Sequence, residues 1–235
     1  MFVDRNLDEL EHIIGYAFKD KTLLEQAMVH RSYATEHSEI TYDNERLEFL
    51  GDAVLELVMT HILFHTYGNE YSEGDLTRMR ALLVNETQLA SQAEALKIGK
   101  FLRLGKGEDK SGGRQKKSIL ADCLEAIIGA MYLDGGLDPC FNFVEGIYQN
   151  TVKEVKDHFK MEDYKSALQE LTQAKFHIVP SYRVERVFGP DHSKNFEVVI
   201  ILDDNILARG KGTSKKKAEQ EAAREALKIL KDENG

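Results

Sequence analysis

The chain has 235 residues, 42% hydrophobic and 30% charged, and a formal net charge of −9. That length suits one large or two modest domains, and the composition is that of an ordinary soluble globular protein rather than a disordered or fibrous one. Apolar runs such as Ala126 to Leu133 are too short to span a bilayer, the start Met1-Phe2-Val3-Asp4-Arg5 lacks a signal-peptide pattern, and the overall acidity by itself argues against a nucleic-acid partner.

The charge is unevenly placed. Residues 1–160 hold 18 Lys+Arg against 27 Asp+Glu, whereas residues 161–235 hold 13 of each, so local clusters decide what the chain binds. The two cysteines, Cys123 and Cys140, have no CxxC spacing, which fits free buried thiols in a reducing cytosol; a cytoplasmic location is expected. The close histidine pairs, His30 with His37 and His61 with His65, lack the further ligands of a zinc site.

Residues 5–18 read as a short helix with Leu7, Leu10, Ile13 and Ile14 on one face, ended by Gly15. Asp20 caps a second helix, with Leu23, Leu24, Ala27 and Met28 inward. His30, Arg31 and Ser32 either line a polar site or cap a helix end, and capping is favoured; a polar loop follows from Ala34 to Asp43. A long helix runs from about Asp43 to Tyr67 and breaks at Gly68-Asn69. Ser72-Glu73-Gly74-Asp75 has a capping pattern that starts the next helix, and Asn85 starts another. Residues 105–117, rich in Gly and Lys, lack the P-loop pattern and read as a mobile basic loop. Residues 118–133 form an apolar helix, and a last helix of this part runs from Leu137 to Phe159. The first domain is thus all-helical over residues 1–159, and residues 160–164 are a linker. Residues 165–235 then read α-β-β-β-α: a helix from Ser166 to Phe176, strands at 182–188, 195–202 and 206–212, and a closing helix from Lys215 to Leu230 capped by Thr213-Ser214. The fold class is α+β overall.

Two of these helices carry unusual acids. Glu45, Glu48 and Asp52 stand at spacings of three and four, within roughly 60° of one helix face. Asp122 and Glu125 stand three apart on a helix so apolar that most of its surface must be buried. Carboxylates beside a buried stripe cost energy unless paired or bound to a cation. Surface solvation or salt bridges explain either group alone. Together, Glu48, Asp52, Asp122 and Glu125 point to a hard cation, Mg²⁺ with Mn²⁺ as a substitute, which favours oxygen ligands and serves phosphoryl chemistry through an activated water. In the second domain Arg209, Lys211, Lys215, Lys216 and Lys217 occur with no acid between Asn205 and Ala218, and three of them start the closing helix, where the dipole also favours phosphate. Gln169 and Glu170 on the first helix and His192 in the strand loop supply two further polar patches. Three such patches fit the way a double-stranded RNA-binding domain spans successive minor grooves.

These stretches resemble bacterial ribonuclease III. Asn44-Glu45-Arg46-Leu47-Glu48-Phe49-Leu50-Gly51-Asp52-Ala53 is similar to the family signature and Ile119 to Ala126 to its second acidic motif. Gly210 to Glu219 resembles the double-stranded RNA-binding domain. The likeness covers nearly the whole chain in family order, with no departure at the acidic positions. It implies a helical ribonuclease III domain followed by a double-stranded RNA-binding domain. It also implies endonucleolytic hydrolysis of duplex RNA to 5′-phosphate and 3′-hydroxyl ends with short 3′ overhangs, and processing of ribosomal RNA precursors and other transcripts. By the same resemblance Asp52 and Glu125 are closest to the chemistry, and Glu48, Asp52, Asp122 and Glu125 bind metal. Glu45 and Glu73 match further cleft acids, Phe49 matches a dimer-interface aromatic, and Gln169, His192, Lys215 and Lys216 match RNA contacts, which Lys217 adjoins. The expected partners are duplex RNA and a second copy of the chain, with no membrane and no organic cofactor. The rival readings are a non-catalytic duplex-binding protein and a phosphohydrolase of small nucleotides.

Overall fold

Helix starts written into the sequence are realised as caps. The computed structural model describes residues 7–190 and 194–232. Helix α1 (Leu7–Ile14) stops where Gly15 takes φ +70°, a left-handed conformation that glycine adopts without strain. Asp20 caps α2 (Lys21–Ala27) by accepting the Thr22 N–H. Helix α3 (Arg31–Glu36) occupies the start of the expected loop, and its N-cap is His30. The long helix α4 (Glu45–Tyr67) comes next. Ser72 and Asp75 form a reciprocal capping box on α5 (Glu73–Leu83), and Asn85 caps α6 (Glu86–Ala95) by accepting the Gln88 N–H.

Residues 105–117 are a folded segment rather than the mobile loop expected. They contain α7 (Lys106–Lys110) and a 3-10 turn at Gly113–Gln115. One residue explains the difference. The Arg114 guanidinium donates to the carbonyls of Gly99 and Leu102 at 3.0 and 2.8 Å and pairs with Asp109 at 2.7 Å. A planar fork that satisfies two backbone carbonyls and a carboxylate ties the glycine-rich chain down.

Helix α8 (Lys117–Gly135) is apolar nearly all round, and Ile119, Leu120, Cys123, Leu124, Ile127, Ile128 and Met131 are all buried. A helix of that kind belongs in the centre of a core. Helices α4, α2 and α6 pack on it. Helix α9 (Leu137–Phe176) is continuous through residues 160–164, where the sequence reading breaks it. That stretch, Lys-Met-Glu-Asp-Tyr, contains neither Gly nor Pro, so nothing in it obliges the backbone to leave the helix.

The contacts divide the chain into two units, residues 1–155 and 156–235. In the second, β1 (Ser181–Phe188), β2 (Asn195–Leu202) and β3 (Asn205–Gly212) form an antiparallel sheet in the order β1-β2-β3. The β2–β3 turn places Asp203 and Asp204 at φ 49° and 61°, the two left-handed residues a tight hairpin needs. Helix α10 (Lys215–Asp232) is capped by Ser214, whose hydroxyl accepts the Lys217 N–H. It lays Ala222, Ala223, Ala226 and Leu230 against Ile200, Ala208 and Leu168.

Candidate metal centre and nucleic-acid interface

The acidic residues of α4 and α8 meet because two glycines let the helices touch backbone to backbone. A Cβ built on Gly51 would lie 1.8 Å from the Glu125 carbonyl oxygen and 2.9 Å from the Gly129 nitrogen. One built on Gly129 would lie 2.2 Å from the Leu47 carbonyl oxygen. Glu48 and Asp52 flank Gly51 in sequence, and Asp122 and Glu125 precede Gly129 by two turns and one. The crossing point therefore dictates which carboxylates face each other.

Glu48, Asp122 and Glu125, all half-buried, each offer an oxygen within 4.8 Å of the others. Asp52 is exposed and lies outside this trio, yet its charge acts on both Glu48 and Glu125. Burial first, and then the charges of Asp52, Glu48 and Asp122, push the Glu125 carboxyl up to about 8. Burial raises Glu48 as well, reinforced by Asp122, Glu45, Asp43 and Asp52. It raises Asp122 too, against the lowering influence of His30. Three half-buried carboxyls that repel one another need a cation to ionise together. Their donors are hard oxygens, and the one sulfur close by in sequence, the Cys123 thiol, is fully buried and turned to the Ala27 carbonyl. This donor set fits Mg²⁺ or Mn²⁺.

The raised carboxyl makes stability depend on pH in the unusual direction. Folded Glu125 keeps its proton up to about 8, while the unfolded group releases it near 4.5. The folded state therefore binds more protons between those values and loses stability as pH rises, by at most about 1.4 kcal/mol per pH unit for one such group. The expected result is that, in EDTA, Glu125→Gln gains thermal stability relative to wild type as pH goes from 5 to 8. Saturating Mg²⁺ should close that gap. Melting curves of both proteins across this range check the sign.

The other candidate residues fall in several places. Exposed Glu45 pairs with Arg31 at 3.2 Å and adds to the field at Glu48. Glu73 is not brought to the acidic trio; it accepts from the Thr77 hydroxyl and lines a separate groove with Thr60, Phe64, Tyr71, Leu76 and Arg80. Phe49 is 82% exposed, beside a concavity of about 640 Å³ that it lines with Leu50, Arg46 and Leu133. In the second unit Gln169, Lys215, Lys216 and Lys217 are exposed, and Lys215 approaches Glu219 at 3.8 Å. His192 lies outside the described residues. Sequence reasoning missed Glu86, whose charge acts on Asp122 from the start of α6, and the two crossing glycines. Nothing in the spacing around Glu86 marks it; only the packing of α6 on α8 does.

Comparison with known proteins agrees with this division. Residues 20–151 match the family model described as Ribonuclease-III-like, and residues 164–230 match that of the double-stranded RNA binding motif. A protein named Ribonuclease 3 from Syntrophobacter fumaroxidans is 45% identical over 229 residues, covering 95% of this chain and 94% of its own length. Another of that name, from Carboxydothermus hydrogenoformans, is 46% identical and covers 97% of each. A crystal structure of the nuclease domain of ribonuclease III from Campylobacter jejuni covers 64% of this chain and 95% of its own, and a second structure of that domain, concerned with flexibility in a region of that protein involved in dimer formation, covers 63% and 97%; both are 44% identical with a TM-score of 0.54. Among the described residues no helix is long and apolar enough to cross a membrane.

Proposed function

This chain belongs to the ribonuclease III family, and on that premise we propose that Glu48, Asp122 and Glu125, with Asp52 beside them, hold Mg²⁺ and that cleavage of duplex RNA takes place there. The protein is an endoribonuclease, and its second unit is a double-stranded RNA-binding domain. The observation that carries the metal reading is the meeting of three half-buried carboxyls whose oxygens lie within 4.8 Å of one another. We assign catalysis and self-association to residues 1–159 and duplex binding to residues 165–235, joined through residues 160–164.

The bound ion supplies charge neutralisation at the scissile phosphate and a more acidic water. Glu48, Asp122 and Glu125 hold it. Asp52, exposed one turn along α4 from Glu48, faces the approaching backbone and orients the attacking water. Attack at phosphorus breaks the P–O3′ bond, which leaves a 5′-phosphate and a 3′-hydroxyl. The row of carboxylates repels RNA until the cation is in place, so binding energy comes from the basic start of α10 instead.

Phe49 supports a homodimer. A phenyl ring 82% exposed, beside a concavity lined by Leu47, Leu50 and Leu133 together with Gln26, Glu45 and Arg46, is unusual on a monomer's surface, and a second copy of the chain covers it. Two sites in a symmetric pair cut both strands and leave short 3′ overhangs. Phe49→Asp is expected to shift the protein to monomer, as read by sedimentation equilibrium. We place the enzyme in the cytoplasm, where the buried thiols Cys123 and Cys140 stay reduced, and name structured precursors such as those of ribosomal RNA as its substrates.

The test is an end-labelled RNA duplex of a few tens of base pairs incubated with Mg²⁺ or with EDTA, with the ends mapped. Staggered cuts in both strands, only with Mg²⁺, are expected. Binding without cutting in both Mg²⁺ and Mn²⁺ contradicts the reading, and turnover of free nucleotides instead of duplex points to a phosphohydrolase. On the binding side, Lys216→Glu should weaken duplex affinity and flatten its salt dependence by about one charge or more. A titration at several salt concentrations reads that slope, and an unchanged one moves the RNA surface elsewhere.

A further inference from the structure

We infer that Lys165 is a positioning residue of the duplex-binding surface: by holding the Glu219 carboxylate it keeps that acid from capturing Lys215, whose ammonium then stays available to an RNA phosphate. The inference rests on the reading of the α10 start as a phosphate-binding surface, and it adds a residue of another helix to that surface.

Glu219 follows Lys215 by one turn on α10, and its two carboxylate oxygens face different lysines. Oε2 accepts from Lys165 Nζ at 2.8 Å, whereas Oε1 lies 3.8 Å from Lys215 Nζ. The two contacts are unequal. The first is a full hydrogen bond between side chains that are 35% and 14% exposed. The second involves a Lys215 side chain that is 63% exposed and beyond hydrogen-bond distance. A lysine placed four residues before its acid on a helix is also in the weaker of the two orders. Lys165 is held from a second side as well, because its ammonium stands 4.3 Å from the centre of the Tyr182 ring on β1. Helix α9, strand β1 and helix α10 together fix one cation on one mostly buried carboxylate.

That arrangement decides how much charge the α10 start offers a duplex. Of the cations between Asn205 and Ala218, Arg209 pairs with Glu185 at 3.0 Å and Lys211 with Glu197 at 3.4 Å, both acids on neighbouring strands. Lys215, Lys216 and Lys217 carry the rest. Without Lys165, Glu219 would be a little-exposed carboxylate short of a partner, with Lys215 already within reach. Closing that gap would turn Lys215 toward the acid and leave a negative group beside the phosphate site. With Lys165 in place the Lys165–Glu219 pair is neutral, and Lys215 exchanges a weak contact for a phosphate at little cost.

Substitution separates this role from that of a bracing ion pair. Lys165→Met keeps an apolar stem over Tyr182 and removes the charge. In the full chain, by filter binding of an RNA duplex in Ca²⁺, its affinity should fall about fivefold, and the slope of log affinity against log salt should shrink by about 0.9, the share of one phosphate. Adding Glu219→Gln to Lys165→Met should restore both, since no acid is left to capture Lys215. Glu219→Gln alone should bind at least as tightly as wild type, a result that needs no Lys165 variant to fold. If the pair only braces the domain, Glu219→Gln loses affinity, and that loss overturns the inference. A double variant that stays as weak as Lys165→Met overturns it too, because Lys165 would then touch RNA itself. Lys215→Gln is the control for the underlying reading. A smaller salt slope in Lys215→Gln with an unmoved one in Lys165→Met overturns the inference and leaves the α10 surface intact; an unmoved slope in Lys215→Gln overturns both.

Discussion

Replacing Glu125 with Gln should lower the rate of duplex cleavage by about 1000-fold or more, since losing one preorganised charge at a phosphoryl-transfer site typically costs that much. Duplex affinity should stay within about twofold, because the phosphate contacts that dominate binding lie elsewhere. The reasoning starts from shape. Gln matches Glu in size, so the half-buried position stays filled and the α4–α8 crossing is undisturbed. Only the charge goes. Glu125 is the acid most strongly pushed toward its neutral form by burial and by Asp52, Glu48 and Asp122, so it gains most from a cation and gives most back to it. Single-turnover cleavage in Mg²⁺ and filter binding in Ca²⁺ separate the two effects. Cleavage within tenfold of wild type would remove Glu125 from the centre, and affinity lost along with activity would mean that the acids hold RNA rather than metal.

The second large effect is structural and runs against helix propensity. Gly51→Ala within a helix ordinarily stabilises by about 0.5–1 kcal/mol. Here it should destabilise by about 3 kcal/mol or more, the upper end of what overpacking costs. For a unit of this size that is a fall in melting temperature of roughly 6–12 °C. The new methyl would sit 1.8 Å from the Glu125 carbonyl oxygen, and its neighbours are backbone atoms of α8, which cannot swing aside as a side chain can. The helices must separate, and with them Glu48 and Asp52 from Asp122 and Glu125. Mg²⁺-dependent cleavage should fall together with stability. Thermal melting of Gly51→Ala decides between the two signs; an increase would show that the helices do not touch there.

These two residues mark the boundary of what the sequence discloses. Glu125 was legible because its oddity is local: a carboxylate three residues from another on an otherwise apolar helix is visible in a short window. Helices, caps and strands were legible for the same reason, as Ser72 with Asp75 and the Asp203-Asp204 turn illustrate. In the sequence Gly51 is one letter of the acidic motif. Its function depends on a second glycine 78 positions away, and no helical period reports which turns of two helices cross. Arg114 is a similar case. In sequence it is one cation in a Gly- and Lys-rich run, and only the carbonyls of Gly99 and Leu102 convert that run into an ordered segment. The break expected at residues 160–164 rested on a change of pattern between domains. The backbone has no Gly or Pro there to enforce it and continues as helix.

The most direct measurement of the central claim is anomalous diffraction from crystals soaked in Mn²⁺. A peak within ligand distance of Glu48, Asp122 and Glu125, about 2.0–2.3 Å from their oxygens, is the predicted result for a hard cation on carboxylates. Its loss in Glu125→Gln crystals would tie the ion to the residue on which cleavage should depend most. Mn²⁺ bound elsewhere, with the trio empty in a protein that still cleaves duplex RNA, would contradict the proposal.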